Sequence, residues 1–192
     1  MIEKLEEWDR QLFLFLNGLH VDWLDQIMYW MSNEYVWIPL YLFLLWLIAK
    51  TYNWKIALLT LLGIAIVITI GDRTSVEVFK EGFERYRPSR NFEIRDQVHT
   101  VNNYRGGQYG FVSSHATNFF GIATFLFLVL RRRLPQAGPW LFFYAALIAY
   151  TRIYLGVHYP GDIIGGAILG SLVALLVFWA FNRFVWTLPS KT

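Results

Sequence analysis

The apolar positions of this chain fall into two patterns, a short periodic one near the N-terminus and long, nearly continuous ones after it. Between residues 5 and 16, Leu5, Trp8, Leu12, Phe15 and Leu16 recur at three or four, while Glu3, Glu6, Glu7 and Asp9 fall elsewhere. This predicts an amphipathic helix, too short and too charged to span a bilayer. After Asn17 and Gly18 a second such piece covers residues 23–31, with Asp22 and Asp25 near its start. Residues 1–33 are therefore read as interfacial helices. Five apolar runs follow, at residues 35–49, 56–71, 116–130, 139–155 and 163–181. Several are shorter than the roughly 20 residues that a span usually needs, but aromatic and polar flanks extend them. The prediction is all-α: one polytopic membrane helix bundle over residues 1–192, with five transmembrane helices.

Punctuation along the chain refines this. Pro39 should kink the first span or mark its outer end. The fifth run carries Gly161, Gly165, Gly166, Gly170, Ser171 and Ala174, small residues at spacings that let a neighbouring helix approach closely. The longest connection runs over residues 72–114, a length that in a compact domain points to function or disorder. Within it, residues 76–87 read as a helical extension closed by Pro88, with Gly106, Gly107 and Gly110 before the third span.

Composition agrees with a membrane protein: 56% of residues are hydrophobic and 19% aromatic, including nine Trp. The net charge of +3 does not point to nucleic acid, because no basic stripe with interleaved aromatics lies outside the apolar segments and short loops. The absence of cysteine removes thiol catalysis, disulfides and Cys-zinc sites. The acid-rich N-terminus lacks the basic start of a secretory signal and is expected to remain on the mature protein.

Charge also gives sidedness. With five spans, Lys50, Lys55, Arg131, Arg132, Arg133, Arg183 and Lys191 share one face without an acid, and all 14 Asp and Glu fall on the other. The positive-inside rule makes the first face cytoplasmic, so residues 72–114 and the N-terminus face outward from the cytoplasmic membrane.

Three pieces on that outer side carry candidate chemistry. His158 and Asp162 lie four apart, so one local turn would let the carboxylate hold one ring nitrogen and leave the other free to attack. Arg152 stands six residues before the histidine and could grip an anion beside it. Lys80 and Arg87 are seven apart, two helical turns, and would project from nearly one face. Ser113 and Ser114 precede an apolar helix, where backbone N–H groups offer an anion site, and His115 follows them. Phosphoryl transfer needs such a set: cations on the nonbridging oxygens, an in-line nucleophile and an acid for the leaving group. His158, with Asp162 beside it, is the better nucleophile; His115, with no acid nearby, is the better general acid. His20 and His99 have no partners of this kind in sequence and are read as structural. Arg85, Arg90, Arg95 and Arg105 are read as solvated loop charge. No compact set of metal ligands stands apart from His158 and Asp162.

Together these pieces resemble the type-2 phosphatidic acid phosphatase superfamily of integral membrane lipid phosphatases. The match covers residues 80–162 without insertion. It departs at Val112-Ser113-Ser114-His115, where the family usually has Pro-Ser-Gly-His, and at Thr151, where Ser is common before the arginine. The resemblance implies that His158 forms a phosphohistidine intermediate, that His115 protonates the leaving group, that Lys80, Arg87, Ser113, Ser114 and Arg152 bind phosphate, and that neither metal nor other cofactor is needed. It implies a lipid phosphate or diphosphate as substrate, with phosphatidic acid, phosphatidylglycerol phosphate, undecaprenyl diphosphate and lipid A 1-phosphate as candidates. Two alternatives remain open at this level: a phosphotransferase using the same intermediate, and a noncatalytic lipid-phosphate binder or transporter. Both histidines and Asp162 argue against the binder, which has no need of a nucleophile.

Overall fold

The structure, a computed structural model, describes residues 2–186; Lys191 of the basic tail lies outside them. Helices α1 (Ile2–Asn17) and α2 (Asp22–Met31) form the two N-terminal amphipathic pieces. A 3-10 turn at Glu34–Trp37 leads into α3 (Ile38–Thr51), whose Pro39 sits in the first turn and so marks the start of the helix rather than a break within it. Helix α4 (Trp54–Arg73) starts on an Asn53 cap, whose side chain accepts from the Ile56 N–H at 2.9 Å.

The stretch after α4 differs from the expectation of a loop with a helix over 76–87. Helix α4 passes without a break into a π-helical segment, Thr74–Lys80, and a last turn, α5 (Glu81–Phe83). Glu84 then adopts a left-handed conformation with φ 48° and ends the helix. Arg87 is therefore extended, as its position before Pro88 favours, and does not share a helix face with Lys80. The rest of the connection holds only short 3-10 turns, at Pro88–Arg90 and Arg95–Gln97. Helices α6 (Ser114–Leu130), α7 (Ala137–Tyr154) and α8 (Pro160–Phe184) complete the bundle.

Among the described residues, three helical stretches are long and apolar enough to cross a membrane: Glu34–Thr51, Trp54–Phe83 and Pro160–Phe184. Helix α6, with 17 residues, is shorter, and α7 ends on a turn that carries Arg152. Helix α6 is central, packing against α4, α7 and α8 and burying Phe119, Phe125, Leu126, Val129 and Leu130. By contrast Leu42, Phe43 and Trp46 on α3, Leu58 and Leu62 on α4, and Ile164, Ile168 and Leu172 on α8 are exposed. Apolar faces of that extent are stable against hydrocarbon, not water. This is a multi-pass membrane protein.

The small residues of α8 serve its contact with α6. A Cβ on Gly170 would lie 1.9 Å from the Thr117 carbonyl oxygen, and one on Gly166 would lie 2.6 Å from that of Ser113. Backbone thus meets backbone across the pair, which sets the height of α8 against the start of α6. Gly170→Ala should cost about 1–3 kcal/mol through overpacking, whereas Gly82→Ala, with nothing within 4 Å of the new methyl, should leave stability unchanged or raise it slightly. Thermal unfolding of the two detergent-purified variants against the parent checks both.

Candidate active site

One end of the bundle collects the starts of α6 and α8 and the ends of α5 and α7. Helix α7 stops where Gly156 takes a φ of +74°, a left-handed closure that suits glycine. There the N–H groups of Val157 and His158 both donate to the Arg152 carbonyl, at 3.0 and 3.2 Å. The turn holds His158 over the last turn of α7. A methyl on Gly156 would also strike the His99 carbonyl oxygen at 2.6 Å.

Helix α8 opens two residues later, and Asp162 in its first turn is fully buried. Its Oδ2 accepts from the Tyr159 N–H at 3.0 Å and lies 3.3 Å from His158 Nδ1. Its Oδ1 accepts from Arg85 Nη1 at 2.8 Å, and its backbone oxygen from the Ser113 N–H at 3.0 Å. The histidine is thus held by its δ nitrogen, as the spacing predicts. The means is a capping turn, with His158 just ahead of the helix.

Residues 85–87 run antiparallel to 108–110: the Gly110 N–H donates to the Arg85 carbonyl at 2.8 Å and the Arg87 N–H to the Gln108 carbonyl at 3.1 Å. An extended backbone sends alternate side chains to opposite sides. Tyr86 is accordingly exposed, while Arg87 is buried and Arg85 half-buried. Arg87 is steadied by its Nε donating to the Tyr109 carbonyl at 3.0 Å. Lys80 and Arg87 so reach one region from two different pieces of backbone.

At the start of α6, Ser113 is buried; its hydroxyl caps the helix by accepting from the Ala116 N–H, and its own N–H is committed to Asp162. Its N–H is therefore committed within the protein, which leaves the hydroxyl hydrogen as the donor an anion would meet. Ser114 Oγ accepts from Lys80 Nζ at 2.5 Å and lies 2.7 Å from Ser75 Oγ. The hydroxyl that replaces the usual glycine thus anchors the lysine. His115 Nε2 lies 3.3 Å from the Ser32 carbonyl oxygen. Arg152 donates through Nη1 to Ser32 Oγ and through Nη2 to the Tyr104 hydroxyl at 2.8 Å, while its buried Nε has no hydrogen-bond partner.

Two cavities meet at His115. A smaller one of about 220 Å³ is bordered by Ser32, Tyr104, His115 and Arg152. An apolar one of about 630 Å³ runs from Ser114 and His115 between α3, α4 and α6, past Leu45, Ile64 and Leu126. Its wall includes Leu61, which is half exposed on the outside of the bundle. Burial, together with the charges of Arg87, Arg152 and Lys80, pushes the His158 imidazole well below its ordinary pKa, so the ring is neutral at neutral pH.

Sequence reasoning misses Arg85, Asp9, Ser32, Tyr104 and Gly110. Arg85 is not solvated loop charge: it joins Asp162 to Asp9, whose Oδ2 it meets at 2.8 Å. Arg90, Arg95 and Arg105 are exposed, as expected. His20 and His99 lie away from this cluster, stacked at 3.7 Å, with His99 Nε2 3.0 Å from Asp25 Oδ1. Among the described residues, no three His, Asp or Glu side chains are grouped as a metal site requires.

Gly110 packs directly against three residues of the site. A methyl there would lie 3.0 Å from Asp162 Oδ2, 3.2 Å from Arg87 Cγ and 3.5 Å from His158 Nδ1. Gly110→Ala should lower turnover by about 10- to 100-fold through displacement of these groups, with the fold retained; kcat and thermal unfolding measured on one preparation check this.

Residues 54–186, more than half of the chain, match the family model described as the PAP2 superfamily. The lipid A 4'-phosphatase of Bacteroides thetaiotaomicron is 39% identical over all of this chain and 85% of its own length. That of Porphyromonas gingivalis is 36% identical over 96% of this chain and 78% of its own. Among solved structures, the transmembrane PAP2-type phosphatidylglycerolphosphate phosphatase from Bacillus subtilis superposes with a TM-score of 0.70 at 22% identity, covering 97% of this chain and 90% of that one. Its fold is shared even where its residues are not. The match over the helices that build the site, and the resemblance of the three motif pieces, lead to one conclusion: the chain belongs to the PAP2 superfamily.

Proposed function

We propose that this PAP2 lipid phosphatase removes a phosphate from a lipid A-type glycolipid at the outer leaflet, through a phosphohistidine at His158. The observation that carries the reading is the meeting, at Ser114 and His115, of an apolar groove with a cluster of cations around a buried His158–Asp162 pair. The groove suits acyl chains, and the cations suit the phosphate they carry. The relatives named lipid A 4'-phosphatase, matched across nearly the whole chain, favour that glycolipid over the 1-phosphate, phosphatidic acid, phosphatidylglycerol phosphate or undecaprenyl diphosphate.

Lys80, Arg87 and Arg152 neutralise the nonbridging oxygens, and a phosphate oxygen can take the donor that Arg152 Nε leaves unused. Neutral His158, held at Nδ1 by Asp162, attacks phosphorus through Nε2. A phosphorus–nitrogen bond forms as the bond to the sugar oxygen breaks, and His115 gives that oxygen a proton. His115 then takes a proton from water, which attacks phosphorus, releases inorganic phosphate and restores His158. With three side-chain cations on the phosphate, the reaction should run without a divalent metal.

On this reading α6 and α7 cross beside the three longest stretches, five spans in all, with this site on the outer side. The opposite end carries Lys50, Lys55, Arg131, Arg132, Arg133 and Arg183 without an acid, which favours the cytoplasm for that end.

Phosphate release by the detergent-purified protein from lipid A, phosphatidic acid, phosphatidylglycerol phosphate and undecaprenyl diphosphate, in excess chelator, tests the proposal. Lipid A should be preferred at its 4' position, chelator should have no effect, and His158→Ala should lose about 10³-fold or more of turnover while remaining folded. Near-parental release by that variant would overturn the nucleophile, and preference for another lipid would overturn the substrate alone.

A further inference from the structure

Helix α1 reaches the catalytic end through one side chain. Asp9 accepts through Oδ1 from the Gly161 N–H at 2.7 Å and through Oδ2 from Arg85 Nη2 at 2.8 Å. Arg85 passes the contact on, donating through Nη1 to Asp162 Oδ1 at 2.8 Å, with its guanidinium 4.2 Å from the centre of the Tyr159 ring. The other oxygen of Asp162 faces His158. From α1 to the imidazole there is thus an unbroken run of polar contacts, most of it shielded from water: Asp162 is fully buried, and the side chains of Arg85 and Asp9 are 22% and 15% exposed.

We infer that Arg85 and Asp9 are positioning residues for the reaction, fixing Asp162 and the Tyr159–Gly161 turn so that His158 Nε2 stays in line with phosphorus. The inference rests on the reading of His158 as the nucleophile. Three features favour it over a general structural role. A buried carboxylate needs a compensating charge, and Arg85 brings one in a planar fork that bonds both carboxylates at once. The geometry leaves no slack, because a Cβ on Gly161 would lie 2.7 Å from Asp9 Oδ2. Neither residue belongs to the phosphate-binding set proposed above, so neither should govern substrate affinity.

The outer face of α1 adds a consequence. Leu5, Trp8, Leu12 and Phe15 are all about half exposed, an apolar stripe suited to the bilayer interface. Asp9 lies off that stripe, so a helix seated in the interface holds the turn beside the nucleophile.

The test uses the full-length protein in detergent and compares Arg85→Gln, Arg85→Lys, Asp9→Ala and Asp9→Asn with the parent and with His158→Ala. Arg85→Gln and Asp9→Ala should lower kcat by about 10²-fold and leave KM within about threefold, since the nucleophile is displaced while the phosphate cations stay. Arg85→Lys, which keeps the charge but loses the fork, should recover about tenfold of that loss. Folded Arg85→Gln and Asp9→Ala turning over at the parental kcat, beside an inactive His158→Ala, would overturn this inference and leave the nucleophile reading standing. An active His158→Ala would overturn the nucleophile reading itself. If the harsher variants fail to fold, Arg85→Lys and Asp9→Asn decide: parental kcat with only a lower melting temperature means a structural role and sinks the inference, and a fall in kcat at unchanged KM supports it.

Discussion

A fully buried carboxylate governs the architecture of this site. Removing Asp162 from water is tolerable only if hydrogen bonds and opposite charge replace its hydration. Arg85, from the 85–87 segment, and the Tyr159 N–H and His158, from the α7–α8 turn, surround its two oxygens. Meeting that demand brings the 85–87 segment, the α7–α8 turn and, through Asp9, helix α1 to one place. The Asp162 carbonyl in turn takes the Ser113 N–H, so the first turns of α6 and α8 are joined at the same residue.

Close helix contact keeps that junction in register. Glycines on α8 let its backbone lie against the backbone of α6 near Thr117 and Ser113. A similar economy operates where α1 ends. The Asn17 amide donates to the carbonyls of Ile153, Tyr154 and His99, and its oxygen accepts from the His99 N–H. The Tyr154 carbonyl, the last of α7, thereby gains a donor, and that of Ile153 accepts from Asn17 as well as from the Gly156 N–H. The N-terminal helix is therefore attached at both halves of the turn that carries His158.

The helices were legible in the chain because lipid-facing and core-facing positions are both apolar, which makes each span a long run with polar ends. Pairs within a few residues were legible too: His158 with Asp162 is such a pair, and one turn of backbone brings it together. Contacts across the sequence were not. Arg85 looks like its neighbours Arg90 and Arg95, and its partners Asp9 and Asp162 lie 76 and 77 residues away. Ser32 is equally silent, being a small polar residue that acquires meaning only when Arg152 and His115 close on it. The two-turn spacing of Lys80 and Arg87 suggests a shared helix face that the structure does not have, because Glu84 breaks the helix and a short antiparallel pairing sets the place of the arginine.

On the proposed reading, in which the apolar groove ending at His115 takes the acyl chains, Leu61 in its wall and on the outer surface alike leaves a lipid no need to enter water on its way to the catalytic end. What the protein meets is then a density of molecules per unit of leaflet, not a quantity per litre. Diluting the substrate with inert lipid slows encounter at fixed bulk amount, and the dephosphorylated product returns sideways into the same two-dimensional solvent from which it came. A neighbour that changes lateral crowding acts on this enzyme as directly as one that changes the amount of substrate made.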